Sequence, residues 1–203
     1  MTKIIGLTGK SGSGKGAVCE IFARHGIPSV NTDAVYHDIL ANGGDCTNEL
    51  VAAFGKQILD GDGRVCTKKL ASTVFGRKNT EELLHTLNAI THKYIMAKTR
   101  DLVRNFANEG APAVLIDAPQ LFEAGVEREC DLVLGVIAPP TLCVERITSR
   151  DGIDEIAALR RLAAQHDDAY FKARCDAVIE NTDDLATLER AVCQFIEQYG
   201  VNA

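Results

Sequence analysis

The sequence has no C-x-x-C pair, no run of about 18 apolar residues and no excess of basic side chains, and each absence removes a class of function. Seven cysteines are scattered from Cys19 to Cys193. Without close pairs, and with no histidine spaced from them as a second ligand, they form no zinc cluster and read as small hydrophobes kept reduced. The missing apolar run leaves no helical membrane span. The N-terminus lacks the apolar region and cleavage site of a secretory signal, so a cytoplasmic protein is expected. With 22 Lys and Arg against 28 Asp and Glu, the formal net charge is −6. Such a chain is not built to neutralise a nucleic-acid backbone. Five prolines, no internal repeat and no low-complexity tract give no sign of a linker within the 203 residues.

What is present is ordinary globular composition, 46% hydrophobic and 25% charged, enough for one sizeable core. The charge is uneven: residues 1–30 carry +3 and residues 63–104 carry +6, leaving −15 for the rest. Arg77, Lys78, Lys93, Lys98, Arg100 and Arg104 fit a solvated helix face and an anion-binding surface equally well.

Residues 3–8, 27–30, 113–117, 131–137 and 176–180 are short apolar runs, continuous rather than alternating, as expected of strands covered on both faces. Helical patterns at 15–25, 34–41, 80–108, about 140–150, 153–166 and 184–199 alternate with them. Between 47 and 75 short helices are expected, broken at Gly55 and at Asp60-Gly61-Asp62-Gly63. The alternation predicts an α/β fold with a five-stranded parallel sheet wrapped by helices. Its core would be about 1–60 and 111–203, with a helical insertion at about 61–110.

Gly9-Lys10-Ser11-Gly12-Ser13-Gly14-Lys15 fills the first seven positions of G-x-x-x-x-G-K-[ST], between a predicted strand and a predicted helix. Glycines let successive backbone N–H groups converge on phosphate oxygens, the helix start adds its dipole, and Lys15 adds a point charge. Gly16 and Ala17 stand where hydroxyls would help to bind Mg²⁺. The metal must then rest on nucleotide oxygens, water and nearby carboxylates, or turnover has been lost.

Beyond the loop, the chain resembles the dephospho-coenzyme A kinase family along nearly its full length. The resemblance is carried by Ile5-Gly6-Leu7-Thr8-Gly9, Val30-Asn31-Thr32-Asp33-Ala34, Leu87-Asn88-Ala89-Ile90-Thr91-His92, Pro119-Gln120-Leu121-Phe122-Glu123, Glu145-Arg146-Ile147 with Arg150-Asp151-Gly152, and Arg161 with Gln165. It departs from the family at Lys10-Ser11, Asn31, Lys93 and Gln120. The resemblance implies a P-loop kinase with a helical acceptor-binding insertion and a lid at about 145–170. The implied reaction is ATP-dependent, Mg²⁺-assisted phosphorylation of the ribose 3′-hydroxyl of dephospho-coenzyme A. Both substrates are small molecules, without nucleic acid or membrane, and the chain would act as a monomer or small homo-oligomer. Another nucleoside or nucleotide kinase, and a nucleotide-binding protein without turnover, remain open alternatives.

The site expectations follow. Gly12, Ser13, Gly14, Lys15, Gly16 and Ala17 would surround the ATP phosphates. Asp33, at a strand end, is either a general base, as the resemblance implies, or a helix cap. Asp117 ends an apolar strand and either holds a magnesium-bound water or forms the turn before Ala118-Pro119. Arg146 and Arg150, four apart on a helix, would reach one phosphate chain or else pair with Glu145, Asp151 or Asp154. The resemblance places Asn181 at the adenine loop and Asn88, His92, Pro119, Leu121 and Arg161 toward the acceptor; by their own pattern Asn181 reads equally as a helix cap, Asn88 and His92 as a polar pair tying the insertion to the core, and Arg161 as part of a solvated helix face.

Overall fold

The computed structural model describes residues 2–75, 79–182 and 184–201. Its five strands are β1 (Lys3–Gly9), β2 (Ser29–Asn31), β3 (Ala113–Asp117), β4 (Leu132–Ile137) and β5 (Ala177–Glu180). They form one sheet in the order β2-β3-β1-β4-β5. β1 runs parallel to both neighbours, with Ile5 level with Leu115 on β3 and Leu132 on β4. β4 runs parallel to β5. Successive residues of β1 and β3 are buried, so both faces are covered, and the continuous apolar runs follow from that.

The helices are α1 (Lys15–Arg24), α2 (Thr32–Asn42), α3 (Asp45–Phe54), α4 (Thr67–Phe75), α5 (Thr80–Asn108), α6 (Pro140–Asp151), α7 (Glu155–Ala163), α8 (Asp168–Arg174) and α9 (Leu185–Gln198). On one side of the sheet Val18, Ile21 and Phe22 of α1 pack with Leu188, Val192 and Phe195 of α9 against Ile5, Leu7, Leu134 and Val136. Phe22 and Phe195 meet edge to face at 5.9 Å between ring centroids. Each such aromatic contributes about 1.5–3 kcal/mol by burial, and the paired geometry about 0.5–1.5 more. On β1 Gly6 leaves space that a side chain would take: a Cβ there would lie 2.6 Å from Leu121 Cδ1 and 3.0 Å from Cys130 Sγ.

The chain divides into two compact units, residues 1–30 with 103–203, and residues 31–102. The second begins well before the insertion expected at about 61–110. The physical reason is its own core, in which Leu40 of α2 and Cys46, Leu50 and Phe54 of α3 pack with Leu70 and Val74 of α4 and with Leu83, Leu87 and Ile90 of α5. Glu49 ties α3 to α5 by accepting from Lys93 Nζ at 2.6 Å and Tyr94 Oη at 2.7 Å. Lys93 therefore spends its charge locally. Arg77 and Lys78 of the basic run lie outside the described residues.

Two elements were not read from the sequence. The segment expected as one helix over 153–166 stops at Ala163, and α8 starts afresh at Asp168, capped by Asp167 Oδ1 accepting from Tyr170 N at 2.9 Å. A 3₁₀ turn at Val126–Glu129 leads into β4. Among the described residues no helix is long and apolar enough to cross a membrane.

Candidate active site

β1 ends at the point where the sheet order changes direction, with β3 on one side and β4 on the other. In parallel α/β sheets the crevice outside such strand ends is where ligands bind. The loop from Gly9 to Lys15 occupies this position. Gly9, Gly12 and Gly14 have φ of +144°, +77° and +101°, backbone that L side chains rarely adopt. Space reinforces the requirement. A Cβ on Gly9 would collide with the Val136 carbonyl, one on Gly12 with the backbone of Cys143 in α6, and one on Gly14 with the Asn181 side-chain amide.

The loop is braced from behind through its carbonyls. Asn181 Nδ2 donates to Ser13 O at 2.8 Å, and Arg146 Nη1 donates to Gly12 O at 3.3 Å and Ser13 O at 3.4 Å. Ser13 N donates to Lys10 O at 3.2 Å, closing the turn. α1 starts with neither a side-chain cap nor an acidic residue in its first turn. The N–H groups of that turn have no acceptor further up the helix and keep their positive dipole end. Lys15 Nζ donates to Gly9 O at 2.9 Å. Gly16 is exposed, with nothing within 4 Å of a Cβ built on it, and Ala17 packs against the sheet core. The missing hydroxyl at residue 16 is therefore a matter of sequence and not of crowding.

Asp117 closes β3, buried, one strand over and level with Leu7 of β1. The segment after it is fixed by Ala118 N donating to Leu7 O at 3.0 Å and Thr8 Oγ1 to Pro119 O at 3.4 Å. Leu121, expected toward the acceptor, is completely buried and packs over Gly6, so it fills the core and presents no surface.

Arg146 and Arg150 are not brought together. Arg146 reaches the loop, whereas Arg150 forms a two-point pair with Asp151, Nε to Oδ1 at 2.7 Å and Nη2 to Oδ2 at 3.0 Å. Arg161 Nη1 joins the same carboxylate. The two arginines hold the Asp151 carboxyl down at about 2. Asn181 likewise serves the loop rather than standing free in a nucleotide loop of its own. The sequence reading missed Asp168, whose carboxylate pairs with Lys10, and it did not connect Gln165 with Ser11, whose N–H donates to Gln165 Oε1 at 2.9 Å. Nothing in the local pattern at 165–168 signals either contact, because both depend on the break between α7 and α8.

In the second unit, Asn31 Oδ1 accepts from Ala34 N at 2.8 Å and caps α2. Asp33 is thus not the cap. It is exposed in the first turn of that helix. Asn88 and His92 lie one turn apart on α5, both half-buried, and burial lowers the His92 pKa below its ordinary value.

A five-stranded parallel sheet carrying a phosphate loop at its switch point defines a P-loop nucleotide-binding fold, the architecture that P-loop kinases share. A family model for dephospho-CoA kinase matches residues 3–187. Curated relatives called dephospho-CoA kinase include one from Geobacillus kaustophilus, 33% identical over 98% of each chain, and one from Bacillus licheniformis, 34% identical over 98% of each. A solved structure from Thermus thermophilus superposes with a TM-score of 0.80 at 31% identity over 97% of each chain. A dephospho-CoA kinase from Campylobacter jejuni superposes with 0.71 at 26% identity over 98% of each. The chain belongs to the dephospho-CoA kinase family. Kinases of this family use ATP as phosphoryl donor.

Proposed function

We propose that this chain transfers the γ-phosphoryl group of ATP to the ribose 3′-hydroxyl of dephospho-coenzyme A, giving coenzyme A and ADP. The observation that carries this reading is family membership over nearly the whole chain together with the intact loop geometry. Both partners are small molecules, nucleic acid and membrane have no part, and a monomer or a small homo-oligomer suffices.

In this reading the N–H groups of Gly12 to Ala17 and the Lys15 ammonium hold the ATP phosphates. Arg146 and Asn181 keep the loop in its binding shape. Asp33 takes the proton of the 3′-hydroxyl as its oxygen bonds to the γ-phosphorus and the bond to the ADP oxygen breaks. No hydrogen bond or ion pair engages the Asp33 side chain among the described residues, which suits a base. Arg150 exchanges Asp151 for a phosphate oxygen when ATP is bound. Asn88, His92, Pro119 and Arg161 contact the acceptor, and Leu121 supports that segment from the core.

The donor set fits a magnesium ion that arrives on the nucleotide. Among the described residues no group of three or more His, Cys, Asp or Glu side chains is placed to hold a metal. Gly16 offers no hydroxyl, and Asp117, at the end of the strand beside the loop, is suited to hold a metal-bound water. Bound Mg²⁺ would neutralise charge on the β- and γ-oxygens. An ADP-release assay with ATP against dephospho-coenzyme A, AMP, CMP and uridine tests the assignment. Turnover with dephospho-coenzyme A at least a hundredfold above the others is expected, and a preference for a nucleoside monophosphate would replace the reading by the other kinase.

A further inference from the structure

The mechanism makes no use of Lys10 and Asp168, yet the pair sits on the phosphate loop itself. Lys10 is the first residue after β1, and its carbonyl closes the loop turn. Its side chain is only 10% exposed and its ammonium pairs with the Asp168 carboxylate, 38% exposed, at the start of α8. The neighbouring Ser11 N–H is held by Gln165, three residues before Asp168. A largely buried ammonium is costly unless paired, so Lys10 must always keep an anion.

Two further cations attach to the same loop, Lys15 on Gly9 O and Arg146 on Gly12 O and Ser13 O. Lys10, Arg146 and Lys15 each pull down the pKa of the Cys143 thiol, while burial first and Asp168 also raise it, so the three cations and the one acid converge on that region of α6. Asp168 therefore places a carboxylate among the positive groups that would receive a polyphosphate. Lys172, one turn along α8, feels the Asp168 charge, although its ammonium is held by Glu180 at 2.7 Å.

We propose that Lys10 is a second phosphate-binding cation of this loop beside Lys15, and that Asp168 is a built-in anion which the nucleotide phosphates displace from it. The proposal rests on the reading that the loop binds ATP. It gives the lid segment a direct sensor: taking Lys10 from Asp168 loosens the attachment of residues 165–168 to the loop.

A purely structural ion pair and a competing anion differ in sign. Removing either partner of a structural pair harms the loop in the same direction, whereas here the two substitutions oppose each other. The test is ATP affinity by isothermal titration for the parent, Lys10→Ala, Lys10→Arg, Asp168→Asn, Lys10→Ala with Asp168→Asn, and Lys15→Ala. Lys10→Ala is expected to raise Kd at least tenfold, Lys10→Arg to stay within threefold of the parent, and Asp168→Asn to lower Kd three- to tenfold. The double variant is expected to bind like Lys10→Ala within twofold, because Asp168 acts through Lys10. Should Lys10→Ala fail to fold, the opposite-sign effect of Asp168→Asn and the retention by Lys10→Arg still decide. Weaker binding by Asp168→Asn, or an unchanged Kd in Lys10→Ala while Lys15→Ala loses affinity, overturns this proposal and leaves the loop reading intact. Absence of ATP binding by the parent overturns both.

Discussion

Gly14 and Asn181 test the loop geometry most sharply, because the Asn181 amide that bonds the Ser13 carbonyl fills the space a side chain on Gly14 would need. Gly14 has φ +101°, and a Cβ there would run into Asn181 Nδ2. Gly14→Ala therefore carries two costs. The left-handed backbone costs about 1–2 kcal/mol for an L residue. Pushing the amide aside breaks its 2.8 Å bond to the buried Ser13 carbonyl, about 1–3 kcal/mol more. Asn181→Ala loses only that bond, again about 1–3 kcal/mol, with Arg146 Nη1 at 3.4 Å from the same carbonyl favouring the lower end. In the double variant the bond is lost once and the vacated space admits the new Cβ. Its destabilisation should match Gly14→Ala alone, with a coupling of about 1–3 kcal/mol. Equilibrium urea unfolding of the four proteins measures this, provided the m-value is unchanged. Additivity within about 0.5 kcal/mol would refute the claimed contact.

Three other perturbations have definite expected outcomes. Gly16→Ser meets no neighbour within 4 Å and adds the missing hydroxyl, so the protein should fold normally and reach half-maximal activity at a lower Mg²⁺ concentration; an unchanged Mg²⁺ requirement would show that the hydroxyl cannot reach the ion. Burial first, then nearby carboxylates, pushes the thiols of Cys19 and Cys130 up to about 12 and that of Cys175 to about 11, above the ordinary thiol value of 9.0. These three should resist iodoacetamide at pH 8 in the folded protein and react after unfolding, and their contribution to stability should fall as pH rises above 9. Peptide mass spectrometry checks the first point and urea midpoints at pH 8 and 10 the second. Asp151, held at about 2 by Arg150 and Arg161 against an ordinary value of 3.8, adds stability above pH 3.8 that is lost as pH falls through about 2. The stability gap between the parent and Asp151→Asn should be constant from pH 7 to 4 and shrink below that. A gap that persists at pH 2 would contradict the pairing.

The fold was largely readable because the strands are buried on both faces. Ala113–Asp117 and the run ending at Ile137 are continuous apolar segments that a half-exposed strand would not show. α5 was readable over its full span, Thr80–Asn108, since its apolar spacing persists for many turns. The break between α7 and α8 was not, because Asp154 and Asp167 resemble solvated helix residues until their capping hydrogen bonds are seen. The extent of the second unit was also hidden: α2 and α3 join it through Leu40, Cys46, Leu50 and Phe54, whose partners are distant in sequence. At the site, the glycines and Lys15 were legible because the phosphate loop demands those residue types at that spacing. The partners of Arg146, Arg150 and Arg161 were not, since an arginine on a helix face has several acidic neighbours and the choice among them is made by tertiary structure.

The central claim is that this chain phosphorylates the 3′-hydroxyl of dephospho-coenzyme A with Asp33 as the base. The most direct measurement is steady-state ADP release with ATP and dephospho-coenzyme A for the parent and Asp33→Asn, with phosphorus NMR of the product and ATP affinity determined separately. The account predicts a 3′-phosphomonoester from the parent, a loss of kcat of at least a hundredfold in Asp33→Asn, and an ATP Kd changed by less than threefold. Parent-like turnover by Asp33→Asn, or a product phosphorylated elsewhere, would contradict it.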